Sequence, residues 1–114
     1  GALQGVVTQT LVPTADGAGR VAALEILVPD DAIRNLIRQG KVEQIYSYMQ
    51  TGSRSGMQTM EQALADLVAR RVITAADAAA RSSRRGELQG LLERLGVAAA
   101  PAAGAGGGLR LAGA

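Results

Sequence analysis

LQGVVTQTLVPTADGAGRVAALEILV, residues 3–28, divides into two β-branched apolar runs, LQGVVTQTLV (3–12) and RVAALEILV (20–28), around PTADGAG. Pro13 presets its backbone angle, Asp16 can bond its own backbone, and Gly17 and Gly19 can take a positive φ, so the middle reads as a turn and the whole as a β-hairpin. The second run is apolar on both faces except at Glu25. That is the pattern of a strand covered on both sides, and helices are expected as its neighbours. An ionised Glu25 in such a strand needs a partner. Arg20 and the cross-strand hydroxyl of Thr8 are the local choices, and a contact to a neighbouring subunit or domain is the functional alternative.

Outward from the hairpin the pattern turns helical. Pro29-Asp30-Asp31 ends the strand and caps a helix, because an aspartate oxygen accepts from the free amides of the first turn and its charge suits the positive helix end. This helix runs to about Gly40, a C-terminal cap. A second covers Val42 to Gln50 and stops at Gly52, and GSRSG (52–56) is a loop. Thr59 and Gln62 fit a capping box, followed by a stripe of Met60, Ala63, Leu64, Leu67, Val68 and Arg71 that predicts an amphipathic helix over 60–71. Asp66 and Arg70 can pair at i,i+4 on its wet side. Thr74 and Asp77 repeat the capping signal before an Ala-rich helix to about Arg81. Leu88, Leu91, Leu92 and Leu95 mark a last helix ending at Gly96, with Gly90 inside it at a cost of about 1 kcal/mol relative to alanine. Residues 96–114 (GVAAAPAAGAGGGLRLAGA) lack a period and read as a flexible tail. The fold class is therefore α/β, a hairpin followed by four to five helices.

Composition limits the chemistry. The 114 residues contain no Cys, His, Trp or Phe, and carry a formal charge of +2. No disulfide framework or thiolate zinc site is possible, and neither a histidine base nor a cysteine nucleophile exists. No run reaches the roughly 18 apolar residues of a membrane span. The first residue is Gly1, which reads as a fragment of a longer protein. Asp30 and Asp31, the adjacent carboxylates, are read as a helix cap, not as an acid/base pair or a metal site. A phosphate-binding loop needs G-x-x-x-x-G-K-[ST] between a strand and a helix. Gly52-Ser-Arg-Ser-Gly56 lies between helices and continues as Met57-Gln58, and the tail glycines have no lysine. The expectation is no nucleotide site, no cofactor and no catalytic residue in this chain.

Arg70, Arg71, Arg81, Arg84 and Arg85 cluster near helix ends, where cations complement the C-terminal dipole. A helix-turn-helix would need base-reading side chains at the start of its second helix, and the Ala-rich segment offers none, so no nucleic-acid partner is expected. The segment AIRNLIRQGK (32–41) is more informative. On a helix, Ala32, Ile33, Leu36 and Ile37 form an apolar face, while Arg34, Arg38 and Lys41 share another. Taken alone, this describes a solvated basic face over a packed apolar one.

Those residues resemble the AIRNLIRE motif of the PilT-type type IV pilus retraction ATPases. The resemblance extends through LQGVVTQTLVP, GRVAALEIL, QTG and GMQTMEQALADLV, in the same order and spacing, over about residues 3–73; residues 74–95 resemble the family's C-terminal helices more loosely. It implies a C-terminal portion: 1–29 the terminal strands of a RecA-like ATPase core, 30–95 a helical C-terminal subdomain, 96–114 the tail. Parents of this kind are hexameric homo-oligomeric rings, cytoplasmic and peripheral to the inner membrane, which bind ATP and Mg and act on the inner-membrane platform proteins of the pilus. Their Walker A loop, Walker B acid and histidine box lie upstream of the matching region. In the family the motif helix is linked to retraction, which places a partner role on Ala32, Ile33, Arg34, Asn35, Leu36, Ile37 and Arg38; Gln39 stands where the family has glutamate. The related pilus-assembly and type II secretion ATPases carry a four-cysteine zinc element between the two hairpin segments. PTADGAG has none, so the retraction branch is preferred. A stand-alone helical adaptor is the other alternative.

Overall fold

The computed structural model describes residues 5–52 and 56–97. The strands β1 (Val6–Pro13) and β2 (Arg20–Leu27) pair antiparallel from Val6 opposite Leu27 to Pro13 opposite Arg20. Five helices follow: α1 (Asp31–Arg38), α2 (Val42–Thr51), α3 (Met60–Ala69), α4 (Ala75–Arg81) and α5 (Arg85–Arg94). The hairpin turn closes through Thr14 N–H to Gly19 C=O at 2.9 Å, with Gly17 at φ +73°. Asp16 accepts from the Thr14 hydroxyl at 2.7 Å and the Ala18 amide at 2.9 Å, which hold its carboxyl below the usual range.

The helix boundaries follow from their caps. Thr59 and Gln62 form the full capping box of α3, and Thr74 caps α4 through the Asp77 amide. Asp66 and Arg70 pair at 3.0 Å on the exposed side of α3. Gly40 and Gly96 take positive φ where α1 and α5 end. Helix α3 ends earlier than its stripe predicts, because Arg71 itself turns left-handed at φ +64° and donates to Val68 C=O while Val72 N–H reaches Leu67 C=O. This is the closing geometry usually given to glycine.

Helix α3 lies at the centre, packed on β2, α4 and α5. The larger apolar cluster is built from Val12 and Ala23 of the hairpin, the α3 stripe, Ile73, Ala78, Leu88 and Leu92. A second cluster contains Ile33, Met49 and Met57, with Leu27, Val28, Ile45 and Tyr48 against it. The expected two-sided cover of β2 is not found among the described residues. Only Ala23 of this strand is buried, since α3 covers one face, and β1 leaves Val6, Val7 and Leu11 at 45%, 59% and 44% exposure. Residues 1–4, 53–55 and 98–114 lie outside the described residues, and with them most of the expected tail and the centre of the GSRSG loop. No described helix is long and apolar enough to cross a membrane.

Candidate functional site

Helix α1 is held at its two ends. At the start, Asp30 accepts the Ile33 amide at 2.8 Å through one oxygen and the Tyr48 hydroxyl at 2.7 Å through the other. The amide first, then the phenol, hold the Asp30 carboxyl below its ordinary range, and the same contact pushes Tyr48 up. At the far end, Gly40 N–H donates to Ile37 C=O and Lys41 N–H to Leu36 C=O, each at 3.0 Å. One side chain, Ile33, anchors the helix in the smaller apolar cluster.

The remaining motif residues do not pack as the helical pattern predicts. Ala32 is exposed, Leu36 is half-buried, and Ile37 keeps 54% of its surface in water, as Val42 at the start of α2 keeps 63%. The physical reason is that, among the described residues, α1 packs chiefly on α2, with Ile33 also reaching Met57 and the end of β2, so a narrow strip of it is covered and Ile37 faces solvent. Arg34 and Arg38 are exposed as expected, and Asn35 is exposed as well. Arg34 pairs with Asp31 at 3.2 Å, and Arg38 reaches Asn35 Oδ1 at a long 3.5 Å. Both partners are themselves exposed, so these contacts hold the arginines weakly. The structure thus presents Arg34, Ile37 and Arg38 outward together.

A second constellation escaped the sequence reading. Glu61 is 2% exposed, and its carboxylate accepts the Tyr46 hydroxyl at 3.0 Å and the Ser82 hydroxyl at 2.7 Å. Burial, then the Glu61 charge, push the Tyr46 phenol up to about 12. The Arg84 guanidinium stacks 4.0 Å over the Tyr46 ring, and its tip reaches Glu43 at 2.9 Å. The signal was present: Glu61 precedes Leu64, Ala65 and Val68 by three, four and seven residues, so helical spacing puts it on a buried face. The arginine cluster also divides differently from expectation. Arg84 and Arg85 sit at the start of α5, where Arg84 is held by Glu43 and Arg85 reaches back to Ala79 C=O at 3.1 Å.

Glu25 forms no ion pair among the described residues, and Arg84 is the cation whose charge reaches it. Arg20 is five residues away on the same strand, about 17 Å in extended chain, which excludes the expected pair. Thr8 does stand opposite Glu25 in the ladder. Burial, then the nearby charge of Glu61, raise the Glu25 carboxyl. Beside β2, an open groove of about 230 Å³ is lined by Ala22, Leu24, Gln58, Ala63, Asp66 and Arg70. It is below the 300–1,000 Å³ typical of ligand pockets, and the Asp66–Arg70 pair neutralises its rim. Among the described residues no cluster of metal-binding type occurs.

A hairpin feeding a bundle of short helices is the arrangement of the C-terminal region of a RecA-like ATPase. Within that class, the chain is similar to PilT-type sequences. It is 51% identical over 85 residues to a twitching motility protein of Neisseria gonorrhoeae, covering 75% of this chain and 22% of the relative. It is 53% identical over 72 residues to the type IV pilus retraction ATPase PilT of Pseudomonas aeruginosa, covering 63% and 21%. The solved pilus retraction motor PilT with bound ADP superposes with a TM-score of 0.62 at 46% identity, over 75% of this chain and 23% of that one. No protein-family profile matches. The chain spans about a fifth of the length of these relatives.

Proposed function

We propose that this chain is the C-terminal portion of a type IV pilus retraction motor and that α1 is the face through which the motor acts on its partner. The observation that carries the reading is the coincidence of motif and exposure: the segment matching the retraction motif is a helix anchored by Ile33 alone, with Arg34, Ile37 and Arg38 turned to solvent. A basic surface with an exposed aliphatic centre suits an acidic protein segment, and the inner-membrane platform of the pilus is the partner implied. The exposed Val6, Val7 and Leu11 support the same reading, since they are where the rest of a RecA-like sheet would join. In this reading ATP and Mg bind the upstream part of the protein, and the hexameric ring works at the cytoplasmic side of the inner membrane. The chain itself supplies contacts and force transmission, not hydrolysis.

The test is the double substitution Arg34→Ala and Arg38→Ala in the full-length protein, with ATP hydrolysis and twitching both assayed. Hydrolysis retained with twitching lost is expected. If both activities persist, or both fall together, α1 does not transmit force.

A further inference from the structure

We infer that α1 and α2 form a lever that pivots on the paired backbones of Ile26 and Gln58 and is latched against α3 and α5 by a polar seam. Its regulatory meaning rests on the proposed role of α1; the lever itself does not.

The two ends of this unit leave and rejoin the rest of the molecule at one place. Ile26 and Gln58 exchange backbone hydrogen bonds at 2.8 and 2.9 Å, and the Gln58 side chain donates to Leu24 C=O at 2.7 Å. Helices α1 and α2 lie between these two residues in the chain. Leu27, Val28 and Met57, the residues next to the pivot, supply its apolar contact. The two apolar clusters share no residue, and Tyr46 belongs to neither although it is buried. Helices α1 and α2 pack chiefly on each other, whereas α3, α4, α5 and the hairpin pack together.

Away from the pivot, α2 is held down by hydrogen bonds and an ion pair around the buried Tyr46 ring. Tyr46 donates to Glu61, Glu43 pairs with Arg84, Gln50 donates to Glu87 at 3.1 Å, and Gln62 of α3 donates to Gln50 C=O at 3.0 Å. Such bonds are directional and can be exchanged for water, while an apolar seam would have to expose its whole area on opening. A rigid pair of helices on two adjacent chain crossings with an exchangeable far edge has the mechanical form of a hinge with a catch. Opening it would move Arg34 and Arg38 as a body while leaving the α3 core intact.

Hydrogen exchange on the 114-residue chain tests the lever. In the unsubstituted chain the amides of 31–51 are expected to open faster than those of α3. Tyr46→Phe removes a hydrogen bond to a charged acceptor and should raise that opening about tenfold, with α3 unchanged. Glu43→Gln, at an exposed position, should give the same selective change at about twofold. Equal exchange of both regions, or equal acceleration of both, overturns the lever; should Tyr46→Phe unfold the chain, Glu43→Gln decides. In the full-length protein, joining Gln50→Cys and Glu87→Cys with a short reducible bis-thiol cross-linker should abolish twitching and spare hydrolysis, with recovery on reduction. If the locked protein still twitches while exchange is selective, the lever stands and the role given to α1 fails.

Discussion

Replacing Glu61 by alanine sets two opposing terms against each other. The substitution leaves the buried hydroxyls of Tyr46 and Ser82 without their acceptor. An orphaned buried hydroxyl costs about 1–2 kcal/mol, so the pair amounts to about 2–4 kcal/mol. Against this stands relief from burying a carboxylate that has no cation in direct contact among the described residues, a penalty of several kcal/mol that its two short hydrogen bonds largely offset in the folded chain. With both donors satisfied at 3.0 and 2.7 Å and Arg84 close by over the ring, the hydrogen-bond loss should win. The expected net destabilisation is about 2–3 kcal/mol at neutral pH, read from urea unfolding at constant slope. Glu61→Gln keeps an acceptor oxygen and should lose only about 1 kcal/mol. A double-mutant cycle with Tyr46→Phe should show coupling of about 1 kcal/mol or more. A spectroscopic titration gives a second reading: without the Glu61 charge the Tyr46 phenol should titrate lower than its present value of about 12, and burial alone should keep it above an exposed tyrosine. A neutral or stabilising Glu61→Ala, or a phenol that does not move, would refute this account of the junction.

Three further outcomes follow from local features. Asp30→Ala removes the α1 cap and the acceptor of Tyr48, and should cost about 1 kcal/mol in thermal or urea unfolding while the Tyr48 phenol falls back toward its ordinary value. Because the Asp30 carboxyl is lowered in the folded chain, its contribution is present above the ordinary aspartate range and is lost as pH falls through the lowered value. Glu25 carries the opposite sign: its raised carboxyl makes the folded chain bind a proton more tightly, so stability declines as pH rises through the folded value. Glu25→Gln should therefore stabilise the chain at neutral pH, and the gain should vanish in acid, which unfolding curves across pH will show. Arg71→Gly relieves a left-handed arginine and should add about 0.5–1 kcal/mol after the entropy of glycine is counted; a loss would mean that the Arg71 side chain contributes more than its backbone costs.

The caps, turns and strand pairing were legible because each is decided within a few residues. Thr59 with Gln62, Thr74 with Asp77, Asp30 ahead of Ile33, and the turn glycine Gly17 all act locally, and all act as the sequence indicates. The α3 terminus was not, since the signal for a left-handed closure is glycine and Arg71 stands there instead. Glu61 was masked by its type: a carboxylate at the start of a helix reads as a dipole partner, although its spacing puts it on the buried face, and its partners Tyr46 and Ser82 come from 15 and 21 residues away. The motif residues were named by resemblance, but their exposure depends on which neighbours α1 lacks, and periodicity carries no such information.

That exposure bears on why α1 is built as it is. Eight residues are too few for a helix to persist on propensity, since isolated helices shorter than about 12–15 residues are marginal in water. A globular protein ordinarily solves this by burying one face, yet only Ile33 of α1 is fully covered. Here the ends carry the helix: the Asp30 cap, itself fixed by Tyr48, at one side and the Gly40 closure at the other. Stabilising a helix from its ends leaves its sides chemically unspent. Arg34, Ile37 and Arg38 are held in helical register without being consumed by packing, which is the condition a contact surface requires. A helix stabilised by its face would have buried Ile37 and left only the charges in contact with solvent.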